Sequence, residues 1–415
     1  MKRFAAIMII SAALALCFGT AGMCEVGVTD TEIHIGQWGP QTGPAAPWGA
    51  VARGTDAYFK MINAEGGIHG RKLVHHYFDD AYNPAKTVAG VKQLQEQEGM
   101  FAWVSGVGTA TGLAVKDYLM ENKIPWIGPS AGSRHWVEPP QKYLFNVYPF
   151  YMGDAQLLCQ YAVETLGKKK IAIAFQNDDY GKQGVEGAEY QLKKAGMELA
   201  VKVPVNVADT DMIPHVMELK KAEADAVLLF VTPGHVARII GTGKAMQFEP
   251  TWMSSSTCGD FPLMMAITKG LSQGMITASF GLAEPTGHVG EVQLLDNPVQ
   301  KMVAKYKTDA FDKFAAQDER YGYTFLAGIG FAEPLVEAIR RCGKDLTREK
   351  LVKELENMQN FKGVLGRINY KPFDPKDPTC RLGQGEVFLQ ECTENGGSKI
   401  LTDWVKTVYL PSKAE

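Results

Sequence analysis

Between residues 33 and 253 the chain alternates short, largely apolar runs with amphipathic stretches, and it does so twice. Runs at 33–38, 73–78, 101–104 and 124–127 form one series, and runs at 171–175, 199–205, 226–231 and 251–253 form a second. An uninterrupted apolar strand has no polar face to turn to water. It therefore belongs in a parallel sheet covered by helices on both sides. The intervening stretches carry helical signals. Tyr58, Met61 and Ile62 share one face of a helix over 49–64, and Asn83 with Pro84 opens a helix on which Val88, Val91 and Leu94 recur until Gly99 closes it. Others are expected from about 112 and over 182–195, 212–222 and 235–246. Two such series predict an α/β chain of two doubly wound parallel-sheet lobes.

Past residue 280 the pattern changes to long helices, over 298–315, 321–341 and 347–357, with short strands near 364–368, 386–389 and 400–405. A tail of this kind completes both lobes by crossing between them. Residues 25–148 with 279–360 are expected to form the first lobe, and 149–278 with 361–415 the second.

Residues 1–24 have the shape of a secretory signal peptide: Lys2 and Arg3, an apolar run over 4–18, then Gly19, Thr20, Ala21 and Gly22. The run is short for a membrane-spanning helix, which needs ~20 residues. A membrane anchor and a lipid-modified cysteine are the other readings of this segment. Export permits disulfides, and Cys380 with Cys392, flanking a Gly-containing segment, is the candidate pair. The net charge of -3 supplies no basic stripe for nucleic acid.

In doubly wound sheets ligands bind at the carboxyl ends of strands. Two adjacent loops there are rich in Gly, Ser and Thr. The first is Ser105-Gly106-Val107-Gly108-Thr109-Ala110-Thr111-Gly112, and the second is Gly128-Pro129-Ser130-Ala131-Gly132-Ser133. Both offer backbone N–H groups and hydroxyls to a small anion, or else their hydroxyls only cap helices. The first loop lacks the spacing of a dinucleotide fingerprint, and no cofactor or metal is expected. Trp48, in a Gly/Pro-rich loop after the first strand, is either an apolar wall for a ligand or a core side chain. Tyr180 holds the matching place in the second series. Motifs of serine hydrolases, zinc proteases and phosphate-cradling loops are missing. His75 and His76 are neighbours on a strand and point to opposite faces, against a shared metal. Asp79 and Asp80, at the end of the same strand, read as loop caps.

Thr42-Gly43-Pro44-Ala45-Ala46-Pro47-Trp48-Gly49 resembles the opening loop of the leucine/isoleucine/valine-binding proteins. So do Ile62-Asn63-Ala64-Glu65-Gly66-Gly67-Ile68-His69-Gly70, the pair Asp79-Asp80 before Asn83-Pro84, Asp179-Tyr180-Gly181, and the stretch from Ala338 to Leu346. These are type I periplasmic substrate-binding proteins of ABC importers. The resemblance implies two lobes joined by three crossovers, a ligand between them, and a membrane permease as partner. It places the ligand carboxylate on Thr109, with further contacts from Ala131 and Ser133. Trp48 falls against the ligand side chain, and Tyr180 closes from the second lobe.

One departure concerns the ligand. Where the family's amino-acid binders hold the ammonium with a Glu, this chain has Ser254-Ser255-Ser256-Thr257, with Ser256 at the position. Another second-lobe Tyr gives way to Thr232-Pro233-Gly234. A desolvated ammonium without a negative partner is costly. The expected ligand is thus a small carboxylate, with a deaminated one favoured over an amino acid unless Asp260 compensates. An exported enzyme with an interlobe active site is the rival class, and a receptor's sensor lobe a third.

Overall fold

The four apolar runs of the first series become strands of one sheet: β1 (Glu32–Trp38), β2 (Lys72–Phe78), β3 (Ala102–Val104) and β4 (Trp126–Ile127). A fifth, β5 (Leu144–Phe145), completes the sheet in the order β2-β1-β3-β4-β5, all parallel. The computed structural model from which this is read describes residues 25–281, 288–289, 292–293 and 297–411. The expected export signal lies outside them.

The second series builds the second sheet from β6 (Ile171–Gln176), β7 (Lys202–Val205), β8 (Ala226–Phe230), β9 (Thr251–Ser254) and β10 (Ile276–Ser279). These run parallel in the order β7-β6-β8-β9-β10. The two lobes thus repeat one strand order, and each places its topological switch beside its first strand, at β1/β3 and at β6/β8. Loops leaving the carboxyl ends of those strands face a cleft.

Three passages join the lobes. The first runs from β5 into the helix Tyr151–Gln160. The second leaves β10 for the helices Asn297–Lys305 and Tyr323–Cys342, with a two-stranded ribbon of β11 (His288–Val289) and β12 (Val292–Gln293) on the way. The third brings the chain back as β15 (Glu386–Cys392), antiparallel to β10, followed by β16 (Ser398–Ile400) and β17 (Val405–Lys406).

The chain from 361 onward, expected in the second lobe, stays beside the first sheet as far as Gly383. The hairpin of β13 (Phe361–Gly363) and β14 (Gly366–Ile368) lies against the long helix, where Val364 N donates to Glu333 at 2.8 Å. Tyr370 donates to Asn146 O at 2.9 Å, and Leu382 bridges Asn146 in parallel. The buried Arg381 guanidinium spans Gln141 O, Lys142 O and Glu356. We place the third crossover between Gly383 and Glu386. The same geometry corrects the disulfide expectation. Cys380 sits in the turn Pro378–Arg381 beside the first sheet and Cys392 ends β15 in the second, so the segment between them passes from one lobe to the other and both thiols are free.

Four tryptophans centre the first lobe: Trp38, Trp103, Trp126 and Trp136 are wholly buried. Ring centroids lie 5.1 Å apart for Trp38 and Trp126 and 5.0 Å for Trp126 and Trp136. Among the described residues no helix is long and apolar enough to cross a membrane.

Candidate ligand-binding site

The tryptophan cluster fixes the two Gly/Ser/Thr loops from below. Trp126 Nε1 donates to Ser105 O at 2.6 Å, and Trp136 Nε1 to Ala131 O at 2.7 Å. The loops also hold each other: Ser130 N donates to Gly106 O at 3.1 Å, and Gly108 N to Ser130 O at 3.4 Å. Gly106 (φ 83°) and Gly108 (φ 107°) have the left-handed backbone that favours glycine. A Cβ on Gly106 would meet the Trp38 ring at 2.3 Å, and one on Gly108 the Tyr82 ring at 2.5 Å.

The acidic pair at the end of β2 shapes the facing loop. Asp79 accepts from Gln41 N at 2.8 Å and from the Thr42 hydroxyl at 2.6 Å. Asp80 accepts from Tyr82 N at 2.9 Å and from the Thr87 hydroxyl at 2.8 Å, which seats the Tyr82 ring 5.5 Å from Trp48. Nearby, His75 bonds Gln37 and His76 bonds His34, on opposite faces of β2.

Between the lobes lies a narrow cleft whose empty space, open solvent at its mouth included, is about 450 Å³. The first lobe lines it with Trp48, Tyr82, Gly108 and Ser130, and the second with Ser256 and Thr257. The crossovers add Tyr148, Tyr151, Phe280, Tyr323 and Phe331. At one end the helix Thr109–Glu121 points its N-terminus toward this wall. Its N-cap is Gly108, and no side chain caps it. The Thr109 hydroxyl is buried and makes no well-formed hydrogen bond, with the Tyr151 hydroxyl its polar neighbour. Uncapped N–H groups and a hydroxyl without a well-formed hydrogen bond together suit an anion.

A model of the family described as "Periplasmic binding protein" matches residues 32–380 of this chain. The chain belongs to the periplasmic binding protein family. Its curated relatives include leucine/isoleucine/valine-binding proteins. The Leu/Ile/Val-binding protein homolog 3 of Brucella melitensis is 28% identical over 221 residues, which span 53% of this chain and 58% of that protein, less than two thirds of its length. Two solved structures share the fold. The fatty acid ABC transporter substrate-binding protein from Thermomonospora curvata has a TM-score of 0.76 at 23% identity, covering 92% of this chain and 95% of that one. The branched chain amino acid ABC transporter from Thermus thermophilus with bound valine has a TM-score of 0.75 at 19% identity, covering 91% and 97%.

Against that family pattern, the structure places the six expected site residues unequally. Trp48 and Ser256 line the cleft. Thr109 lies immediately behind Gly108. Ala131 is buried with its carbonyl taken by Trp136, next to the lining Ser130. The Ser133 hydroxyl caps the turn Arg134–Trp136 and accepts from Gln183 at 2.9 Å, so it links the lobes outside the cleft lining. Tyr180 stands one layer back, its ring 4.5 Å from Tyr151 and its hydroxyl bonded to Ser255 at 2.8 Å and Thr257 at 2.9 Å.

Asp260 is committed elsewhere. Its carboxylate accepts from Thr324 N at 2.8 Å and from Leu263 N at 3.2 Å. The acidic group that does stand at Ser256 is Asp154, in the first turn of the helix Tyr151–Gln160. It is fully buried and accepts from Ser256 N at 2.9 Å and the Ser256 hydroxyl at 2.6 Å. Burial pushes its carboxyl up to about 7, against those two hydrogen bonds. Sequence reading missed Asp154 and the tyrosines 82, 148, 151 and 323. Tyr82 lies inside the Asp79–Pro84 stretch and is seated by Asp80, while the others have no local motif and only the crossovers bring them together.

Proposed function

We propose that the chain is the extracytoplasmic substrate-binding component of an ABC importer. It binds a small carboxylate-bearing molecule between its lobes, an amino acid or its deaminated or aromatic counterpart, and delivers it unchanged to a membrane permease. The observation that carries this reading is the uncapped helix N-terminus at Thr109, with a hydroxyl lacking a well-formed hydrogen bond, behind one end of a cleft walled by aromatic rings. An anion at the helix end is stabilised by N–H dipoles, and the rings accept an apolar body. Valine and fatty acid, for which the two structural relatives are named, have a carboxylate in common.

Closure is part of the function. Hinged lobes bury the ligand and present one closed surface to a partner. Ser133 with Gln183 and Arg134 with Glu186 join first-lobe loops to a second-lobe helix in this way. The test is a thermal-shift screen of small carboxylates, since a ligand that binds only the folded state raises its melting temperature. The hits are then recovered after incubation. Saturable stabilisation with the molecule recovered intact supports the proposal. Conversion to a product would make the chain an enzyme.

A further inference from the structure

The second-lobe wall of the cleft is polarised by a carboxylate that no cation balances. Asp154 Oδ2 accepts two hydrogen bonds from Ser256, one from N and one from the hydroxyl. The Ser256 proton is thereby directed inward. The Tyr148 hydroxyl, 3.0 Å from Ser256 Oγ, then donates to it. What Ser256 and Tyr148 show to the cleft, which both line, is oxygen lone pairs. The second carboxylate oxygen, Oδ1, is buried and has no partner. The titratable groups that face Asp154 are the phenols of Tyr148 on the connection leaving β5, Tyr151 on its own helix and Tyr323 on the long helix. Among the described residues no Lys, Arg or His pairs with it.

We propose that Asp154 is a specificity-determining residue of this cleft: acting through the Ser256 and Tyr148 hydroxyls, it makes this wall a hydrogen-bond acceptor, so that among small carboxylates the cleft prefers those carrying a donor group, ammonium above hydroxyl above none. The inference rests on the carboxylate reading of the cleft. It restores, one hydroxyl behind Ser256, the negative charge that Ser256 alone does not supply. Because Oδ2 is filled by two donors, any proton on Asp154 sits on Oδ1. An arriving ammonium favours the ionised carboxylate and expels that proton. Leucine affinity therefore rises with pH through the range near neutrality where burial has placed this group, whereas affinity for a ligand without the donor does not.

The experiment is calorimetry on the whole mature chain with two matched sets. One is L-leucine, 2-hydroxy-4-methylpentanoate and 4-methylpentanoate. The other is L-phenylalanine, 3-phenyllactate and 3-phenylpropanoate. Each is titrated at pH 6 and pH 8, in two buffers of different ionisation enthalpy to count protons. The amino acid of the set that fits should bind about 10- to 150-fold tighter than its donor-less partner, the scale of a hydrogen bond to a charged group, and should release a proton at pH 6. Asp154→Asn should remove most of that preference and the proton release while still binding the donor-less acid. Ser256→Ala, which cuts the link and keeps the carboxylate, should shrink the preference too and stands in if the Asn variant does not fold. A donor-less acid that binds wild type as tightly as the amino acid overturns the inference and leaves the carboxylate site standing. So does a preference that survives both substitutions. A chain that binds no member of either set overturns the carboxylate reading, and this inference with it.

Discussion

The Trp48 indole donates from Nε1 to the carbonyl oxygen of Thr257 at 2.9 Å, across the cleft from the first lobe to the second. Trp48 is therefore both a wall of the cleft and a clasp on the closed state. Gly234 approaches the same opening loop from the second lobe, where an added Cβ would lie 2.9 Å from Pro44 O.

Trp48→Phe keeps a ring beside Tyr82 and removes the donor. A neutral hydrogen bond contributes about 0.5–1.5 kcal/mol. The bond spans the two lobes, so its loss taxes closure and lowers apparent affinity by roughly two- to tenfold. Calorimetry with a ligand from the screen measures this. Unchanged affinity would show that the clasp contributes nothing to closure.

Thr109→Val separates binding from stability. The Thr109 hydroxyl is buried without a well-formed hydrogen bond in the ligand-free chain, so replacing it with a methyl should leave the melting temperature equal or higher. Affinity for a carboxylate should fall about 10- to 150-fold, if the hydroxyl meets the charge. Equal affinity in wild type and variant would remove Thr109 from the site.

The loops that carry Thr109 and Ser130 were legible in the sequence because their Gly, Ser and Thr interrupt an otherwise regular strand–helix alternation. Most strands were legible because they are short, largely apolar runs, even where His34, His75, His76 and Lys202 interrupt β1, β2 and β7. β10 was not: Ile276-Thr277-Ala278-Ser279 alternates with polar residues whose hydroxyls are buried against neighbours such as Gln390. β5 is two residues long, too short to show a pattern. Residues 361–383 read as second-lobe material because strands returned there, and nothing local shows that Arg381 anchors them to residues 141–142 and Glu356. The aromatic half of the cleft and Asp154 come from the crossovers. Tyr148, Tyr151 and Tyr323 meet only through topology, which no sequence period reports.

Gly108→Ala tests the loop geometry. At φ 107° with the Tyr82 ring 2.5 Å from the added Cβ and the Thr111 hydroxyl at 2.7 Å, alanine is both strained and crowded. The backbone strain alone costs about 1–3 kcal/mol. The melting temperature should drop and the affinity should drop with it, because Tyr82 lines the cleft. Calorimetric unfolding of the two proteins checks the first effect, and a variant as stable as wild type would contradict this account of the loop.

Glu333 gives a pH signature. It is buried on the long helix, accepts from the Tyr306 hydroxyl at 2.9 Å and Val364 N at 2.8 Å, and burial pushes its carboxyl from the ordinary 4.5 up to about 8. Between those values the folded chain keeps a proton that the unfolded chain gives up. Stability should therefore fall as pH rises through that window and level off above it. Asp154 acts in the same direction between 3.8 and about 7. Urea midpoints at pH 5.5 and 8.5 should show the decline in wild type and a shallower one in Glu333→Gln. Equal slopes would mean that Glu333 does not hold its proton.

The central claim is that the cleft holds a small carboxylate and releases it unchanged. It is tested most directly by denaturing the purified chain and weighing the small molecules set free, before and after incubation with the carboxylates that stabilise it. The account predicts one carboxylate per chain, identical in mass to the one added. A recovered molecule without a carboxylate, or one altered by the incubation, would contradict it.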